Sequence, residues 1–119
     1  RLKEKLLSIS NKIILPEECH DSKPSWFGFL ITCKHGFNRN TIVKHIESKG
    51  IQTRMLFAGN IIKHPCFDNM RIDENYRVVG DLLNTDLVMN NSFWVGVYPG
   101  MTDKVIDYMA NVITEAVKI

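Results

Sequence analysis

Arg54, Phe57, Gly59 and Asn60 fall within one short segment, Thr53-Arg54-Met55-Leu56-Phe57-Ala58-Gly59-Asn60, and together they could grip an anionic or hydroxyl-rich ligand. A planar guanidinium suits a phosphate or a sugar oxygen. The Asn60 amide can both donate to and accept from hydroxyls, and Gly59 lacks the side chain that would keep a ligand from the backbone. Phe57 and Trp26 are candidates for apolar walls. The same residues also read as a surface arginine and a Gly-Asn turn, and the pattern does not separate the two. In a second segment, Asn84-Thr85-Asp86-Leu87-Val88-Met89-Asn90-Asn91, the dense amides are either helix caps and turn formers or ligand contacts.

No self-contained active site accompanies these residues. The chain has no glycine-rich phosphate loop, no HExxH pair and no nucleophile elbow. Cys19, Cys33 and Cys66 are an odd, widely spaced set, which favours free thiols over a disulfide framework. Cys19 and His20 with Cys33 and His35 invite a zinc site, but the spacing is wrong for a paired-cysteine knuckle. His45 is expected on the solvated side of its helix, and His64, before Pro65, is open. Fifteen Lys and Arg against 13 Asp and Glu give a formal charge of +2, too little to point to nucleic acid or an acidic membrane. With no apolar run long enough to span a bilayer and no signal peptide, a cytoplasmic location is expected. Hydrophobic and charged fractions of 45% and 24% are those of a globular domain, and 119 residues allow one core.

The elements that must position these residues follow from periodicity. Leu2, Leu6, Ile9 and Ile13 keep helical spacing from the first residue with no cap before them, so a helix over Arg1 to Ile14 is expected to continue from a longer protein and to fray at its start. Pro16 to Pro24 is a loop, and Trp26 to Lys34 (WFGFLITCK) a buried strand. Asn38 caps a helix through Lys49, with Ile42, Val43 and Ile46 on one face and Gly50 as its left-handed stop. Ile51 to Leu56 is a strand with Ile51, Thr53 and Met55 toward the core, so Arg54 points away from it. A turn around Gly59 and a helical turn limited by Pro65 follow, then a short helix over Tyr76 to Thr85 and a strand over Ser92 to Tyr98. After the Pro99-Gly100 turn, Thr102 caps a last helix whose stripe is Val105, Met109, Val112 and Ala116, flanked by Ile106, Ile113 and Val117. The order predicts an α+β domain, a small sheet of about three strands with helices packed on it.

Four segments carry a family resemblance: SWFGF at Ser25 to Phe29, TRMLFAGNIIKHP at Thr53 to Pro65, YRVVGDLLNTD at Tyr76 to Asp86, and FWVGVYPGMT at Phe93 to Thr102. Together they resemble the C-terminal minor domain of the CDP-4-keto-6-deoxy-D-glucose 3-dehydrases, a branch of the DegT/StrS sugar aminotransferase family that serves lipopolysaccharide biosynthesis. Where the wider family often places a Tyr, a Pro and a His near the sugar, this chain reads Phe57-Ala58-Gly59-Asn60, with Asn60 in place of the His, which fits the dehydrase branch.

The resemblance implies the minor domain of a type I aminotransferase fold. Residues 1–15 are then the end of an inter-domain helix and residues 16–119 the domain itself. The large N-terminal domain would hold pyridoxamine or pyridoxal phosphate and, in the dehydrase, a [2Fe-2S] cluster; neither is expected on this fragment, which alone is not catalytic. The whole enzyme would be a homodimer served by a reductase and would remove the C3 hydroxyl of a CDP-linked 4-keto sugar. Its substrate-binding residues in this chain would be Arg54, Asn60, Phe57 and Trp26. Two alternatives stand beside it: amino transfer on the same fold, and a free-standing α+β ligand- or RNA-binding module, since WFGFLITC is superficially like the aromatic strand of an RNA-recognition domain.

Overall fold

A computed structural model describes residues 1–119. Its sheet has four strands, all antiparallel to their neighbours, in the order β1-β2-β4-β3. They are β1 (Ile13–Ile14), β2 (Gly28–Cys33), β3 (Thr53–Met55) and β4 (Ser92–Gly96). The helices are α1 (Leu2–Leu6), α2 (Arg39–Ser48), α3 (Leu83–Asn91) and α4 (Asp103–Ala116). β2 and β3 run parallel with β4 inserted between them, so β2-α2-β3 is a split crossover. Phe29, Ile31 and Cys33 of β2 and Phe93 and Val95 of β4 turn one way and join the buried residues of α1, α2 and α4 in one core. No helix is long and apolar enough to cross a membrane.

Helices α2 and α4 form where capping and apolar period coincide. Asn38 Oδ1 accepts from the Asn40 and Thr41 amides at 2.9 and 3.1 Å, and Gly50 stops the helix at φ +79°. Thr102 caps α4 by accepting from the Val105 amide. The α4 stripe is turned slightly from expectation: Ile106, Met109, Ala110, Val112, Ile113 and Ala116 are buried, while Val105 is exposed.

Three local expectations change. The first helix stops at Leu6 and passes through a 3₁₀ turn at Leu7–Ile9. Ile13 and Ile14 then pair with Cys33 and Thr32 as a fourth strand. Leu2, Leu6, Ile9 and Ile13 are all buried, so one apolar spacing is met by three local structures. Ser10 and Asn11 favour a turn, and the Lys34 amide donates to the Lys12 carbonyl, drawing the chain onto β2. Next, the helix expected at Tyr76 to Thr85 begins only at Leu83 and runs to Asn91: Gly80 and Leu82 have φ of +78° and +55°, and Asp81 accepts from the Leu83 amide. Last, β3 is short and at the sheet edge; Thr53 is buried, donating to Glu47, while Met55 turns outward against Arg39.

Candidate functional site

The face of the sheet away from the core carries a cleft at the Gly28 end. Gly28 pairs with Gly96, and the Trp94 indole lies over that hollow: a Cβ on Gly28 would stand 2.7 Å from Trp94 Cε3. Phe27 packs on Trp94 at 5.1 Å between ring centroids, and Phe57 meets it edge-on at 5.0 Å. Both phenyl rings remain largely in solvent, Phe27 82% and Phe57 76% exposed. Arg54 is opposite Trp94 across β3 and β4. These side chains, with Gln52, line a cleft of about 380 Å³.

Arg54 is free for a ligand. Its hydrogen bond is from Nη1 to the Thr53 carbonyl at 3.4 Å, and no carboxylate pairs with it. Phe57 is held at φ +45°, a conformation a bulky residue rarely adopts, and its amide donates to the Met55 carbonyl at 2.8 Å. Asn60, expected at the ligand surface, is instead 2% exposed. Its Nδ2 donates to Asp86 Oδ1 at 2.8 Å, and Lys63 Nζ lies 2.8 Å from Asp86 Oδ2. These two hydrogen bonds, Asn60 first, and the Lys63 charge hold the Asp86 carboxyl below its ordinary range. Gly59, at φ +65°, brings the backbone against Met89 of α3 rather than a ligand: a Cβ there would stand 2.4 Å from Met89 Cγ. His64 Nε2 closes the loop on the Ala58 carbonyl. Asn60 and Asp86 thus pin the loop that presents Phe57.

Trp26 is not brought to this cleft. It is 40% exposed and lines a separate groove with Pro16, Pro24 and Tyr98. Phe27 and Trp94 occupy the place intended for it; a glycine between aromatics inside a strand, Phe27-Gly28-Phe29, was the available signal. Phe29 itself is core, so WFGFLITC is not a base-stacking platform in the RNA-recognition sense. The cysteines do not converge. Cys33 is in the core, where burial pushes its thiol up to about 11, while Cys19 and Cys66 are exposed. No three His, Cys, Asp or Glu side chains are placed to hold a metal. His45 has a buried, unpartnered Nε2, 3.9 Å from Glu115, rather than a solvated ring.

The profile of the DegT/DnrJ/EryC1/StrS aminotransferase family matches residues 1–114. The chain belongs to that family. It is 48% identical over 112 residues to lipopolysaccharide biosynthesis protein RfbH of Salmonella typhimurium, covering 92% of this chain and 25% of the relative. It is 46% identical over 119 residues to dTDP-4-dehydro-2,6-dideoxy-D-glucose 3-dehydratase of Saccharopolyspora spinosa, covering 98% and 25%. The chain therefore spans about a quarter of the length of these curated relatives. Its fold matches Escherichia coli GDP-4-keto-6-deoxy-D-mannose-3-dehydratase, solved with hydrated pyridoxal phosphate, at a TM-score of 0.75 and 25% identity, over 93% of this chain and 28% of that one. A GDP-4-keto-6-deoxymannose-3-dehydratase mutant with bound GDP-perosamine matches at 0.72 and 25%, over 93% and 29%. The α+β minor-domain architecture expected from the family is the one observed, with β1 added to the sheet.

Four of the ten lysines are committed to partners within the chain. Lys12 and Lys34 donate to backbone carbonyls, and Lys63 is tied to Asp86. Asp107, by hydrogen bond and charge, raises the Lys5 pKa. A lysine that adds to a carbonyl needs the reverse, a lowered pKa in a desolvated site.

Proposed function

We propose that this chain is the minor domain of a nucleotide-sugar 3-dehydratase dependent on pyridoxamine or pyridoxal phosphate, and that it covers the substrate without performing the chemistry. What supports this most is the 46% identity, over 98% of the chain, to a protein named as a sugar 3-dehydratase. The structural likeness to GDP-4-keto-6-deoxymannose 3-dehydratases points the same way. The cofactor, the base and a [2Fe-2S] cluster belong, in this reading, to a large domain outside the residues described. The cofactor supplies the electron sink that lets the C3 hydroxyl leave a 4-keto sugar. This chain's part is to bind and orient: Arg54 reaches ligand oxygens, Phe57 forms an apolar wall, and Asn60 with Asp86 holds the loop. The substrate is CDP-4-keto-6-deoxyglucose, in a cytoplasmic route to 3,6-dideoxyhexoses of lipopolysaccharide, and the enzyme is a homodimer working with a reductase.

The test is to incubate the full-length enzyme with CDP-4-keto-6-deoxyglucose, pyridoxamine phosphate and a reducing system, and to follow the sugar by mass spectrometry. Loss of the C3 oxygen is expected. Glutamate-dependent gain of an amino group, with oxygen retained, would establish the second reading, the sugar aminotransferase that the family's description favours. Light scattering on the same preparation is expected to give a dimer.

A further inference from the structure

Helices α1 and α4 run side by side in the same direction, and two ion pairs fix their register. Arg1 pairs with Asp103 and Lys5 with Asp107, a step of four residues on each helix. Leu2 and Leu6 repeat that step on the buried side of α1. In this register the turn of chain just before Arg1 is level with Pro99 to Thr102, the segment that leads into α4. A groove of about 330 Å³ opens there, on the core side of the sheet. Its floor is the rim of the core, at Phe29, Met101 and Ile106, and its walls are Trp26 and Tyr98. Both walls keep ring surface in solvent, Tyr98 65% exposed and Trp26 40%. Aromatic surface gathered beside an open stretch of core marks a contact surface rather than scattered apolar exposure. Three of the four prolines, Pro16, Pro24 and Pro99, line the same groove, so its shape is held by fixed backbone angles. Arg1, Lys3 and Glu18 stand around it, giving the apolar centre and charged rim of a contact between polypeptide surfaces.

We infer that in the full-length enzyme α1 continues backward by at least one turn and that a large apolar side chain three or four residues before Leu2 fills the Trp26-Tyr98 groove. Side chains on a helix lean toward its N-terminus, and residues three or four apart share a face. The residue in question therefore stands over Leu2, which itself lines the groove. The added turn also gives helical carbonyl partners to the first amides of α1, for which Arg1 provides no side-chain cap. The inference rests on the reading above only in taking this chain as one domain of a longer protein, as its coverage of about a quarter of its curated relatives supports. The groove is then a socket that seats the incoming helix, so that α1 and the minor domain move as one body.

Hydroxyl-radical footprinting of the full-length enzyme, read on peptides by mass spectrometry, is the test. The translated gene is expected to carry a large apolar residue three or four places before Leu2, and Trp26 and Tyr98 are expected to be protected. Replacing that upstream residue with Ala should raise the oxidation of both and leave Tyr108, exposed on α4 away from the groove, unchanged. A second variant serves if the first does not fold: Tyr98→Cys paired with a cysteine at the upstream position should yield a linked peptide with a short bismaleimide. Free oxidation of Trp26 and Tyr98 in the wild type would overturn the inference. So would protection that survives the Ala replacement or appears only with added CDP-4-keto-6-deoxyglucose, because another surface or a ligand would then cover the groove. Charged residues or glycine at both upstream positions, or no linked peptide, would overturn it too. A gene whose product begins at this chain would instead remove the minor-domain reading itself. Amino transfer in the assay above would leave the contact standing, since it depends on the helix and not on the reaction.

Discussion

Asn60 and Arg54 belong to the same loop region and do opposite work. Asn60 is the one fully buried residue between Arg54 and Asn91, and its amide is committed to Asp86. Asn60→Ala is expected to destabilise the protein by about 1–2 kcal/mol, read by urea unfolding, since it empties a buried site and removes a hydrogen bond to a charged group. Arg54→Ala should leave the unfolding midpoint in place. In the full-length enzyme it should lower kcat/KM by about 1.5–3 kcal/mol, the range for a lost charge-assisted hydrogen bond. Equal kinetics for Arg54→Ala and wild type would return Arg54 to an ordinary surface residue. Asp86 adds a pH dependence. Its folded pKa lies below the ordinary value of 3.8, so its contribution is complete above that value and is lost as pH falls through the lowered one. The difference in acid stability between wild type and Asp86→Asn should therefore shrink as pH drops below about 4. A constant difference down to pH 2 would show that the Asp86 charge is not what holds the loop.

At the scale of elements, α2 and α4 were legible because two independent signals coincide, a side-chain cap and a run of apolar residues at helical period. β1 was not, because two residues carry no periodicity and its partner lies some twenty residues away. The Leu2, Leu6, Ile9, Ile13 spacing predicted burial correctly and structure wrongly, since a helix, a 3₁₀ turn and a strand can bury the same residues. The cleft was half legible. Arg54 and Phe57 stood out locally, but Phe27 and Trp94 join them only through the β2-β4 register, which no local pattern states. Helix α1 is short, yet Leu6 is wholly buried and Lys5 pairs with Asp107 of α4. Leu6→Ala should cost about 2–4 kcal/mol, the usual range for a core leucine. A cost under about 1 kcal/mol, with fast amide exchange through Leu6, would show that the segment frays as its uncapped start suggested.

At the scale of the molecule, core and appendage separate. The radius of gyration is 16.6 Å, against roughly 13–14 Å for a compact chain of this length. Between Arg54 and Asn91 the chain exposes Phe57, Ile61, Met70, Ile72, Val79 and Leu83 and has almost no buried anchor. In the isolated chain, amides of residues 66–82 are expected to exchange within minutes while those of β2 and β4 stay protected; in the full-length enzyme the same stretch should slow. Uniform protection in the isolated chain would mean that the appendage needs no other surface. The strand order β1-β2-β4-β3 bears on synthesis. β4 is made last and lies between β2 and β3, so β3 has no sheet neighbour, and β2 only the two-residue β1, until residue 96 has left the ribosome. A chain halted after Asn91 would carry one bare edge on β2 and a wholly unpaired β3, separated by the width of a missing strand. Such a nascent product is prone to aggregate and should draw chaperone binding, which lengthening by the few residues of β4 should abolish.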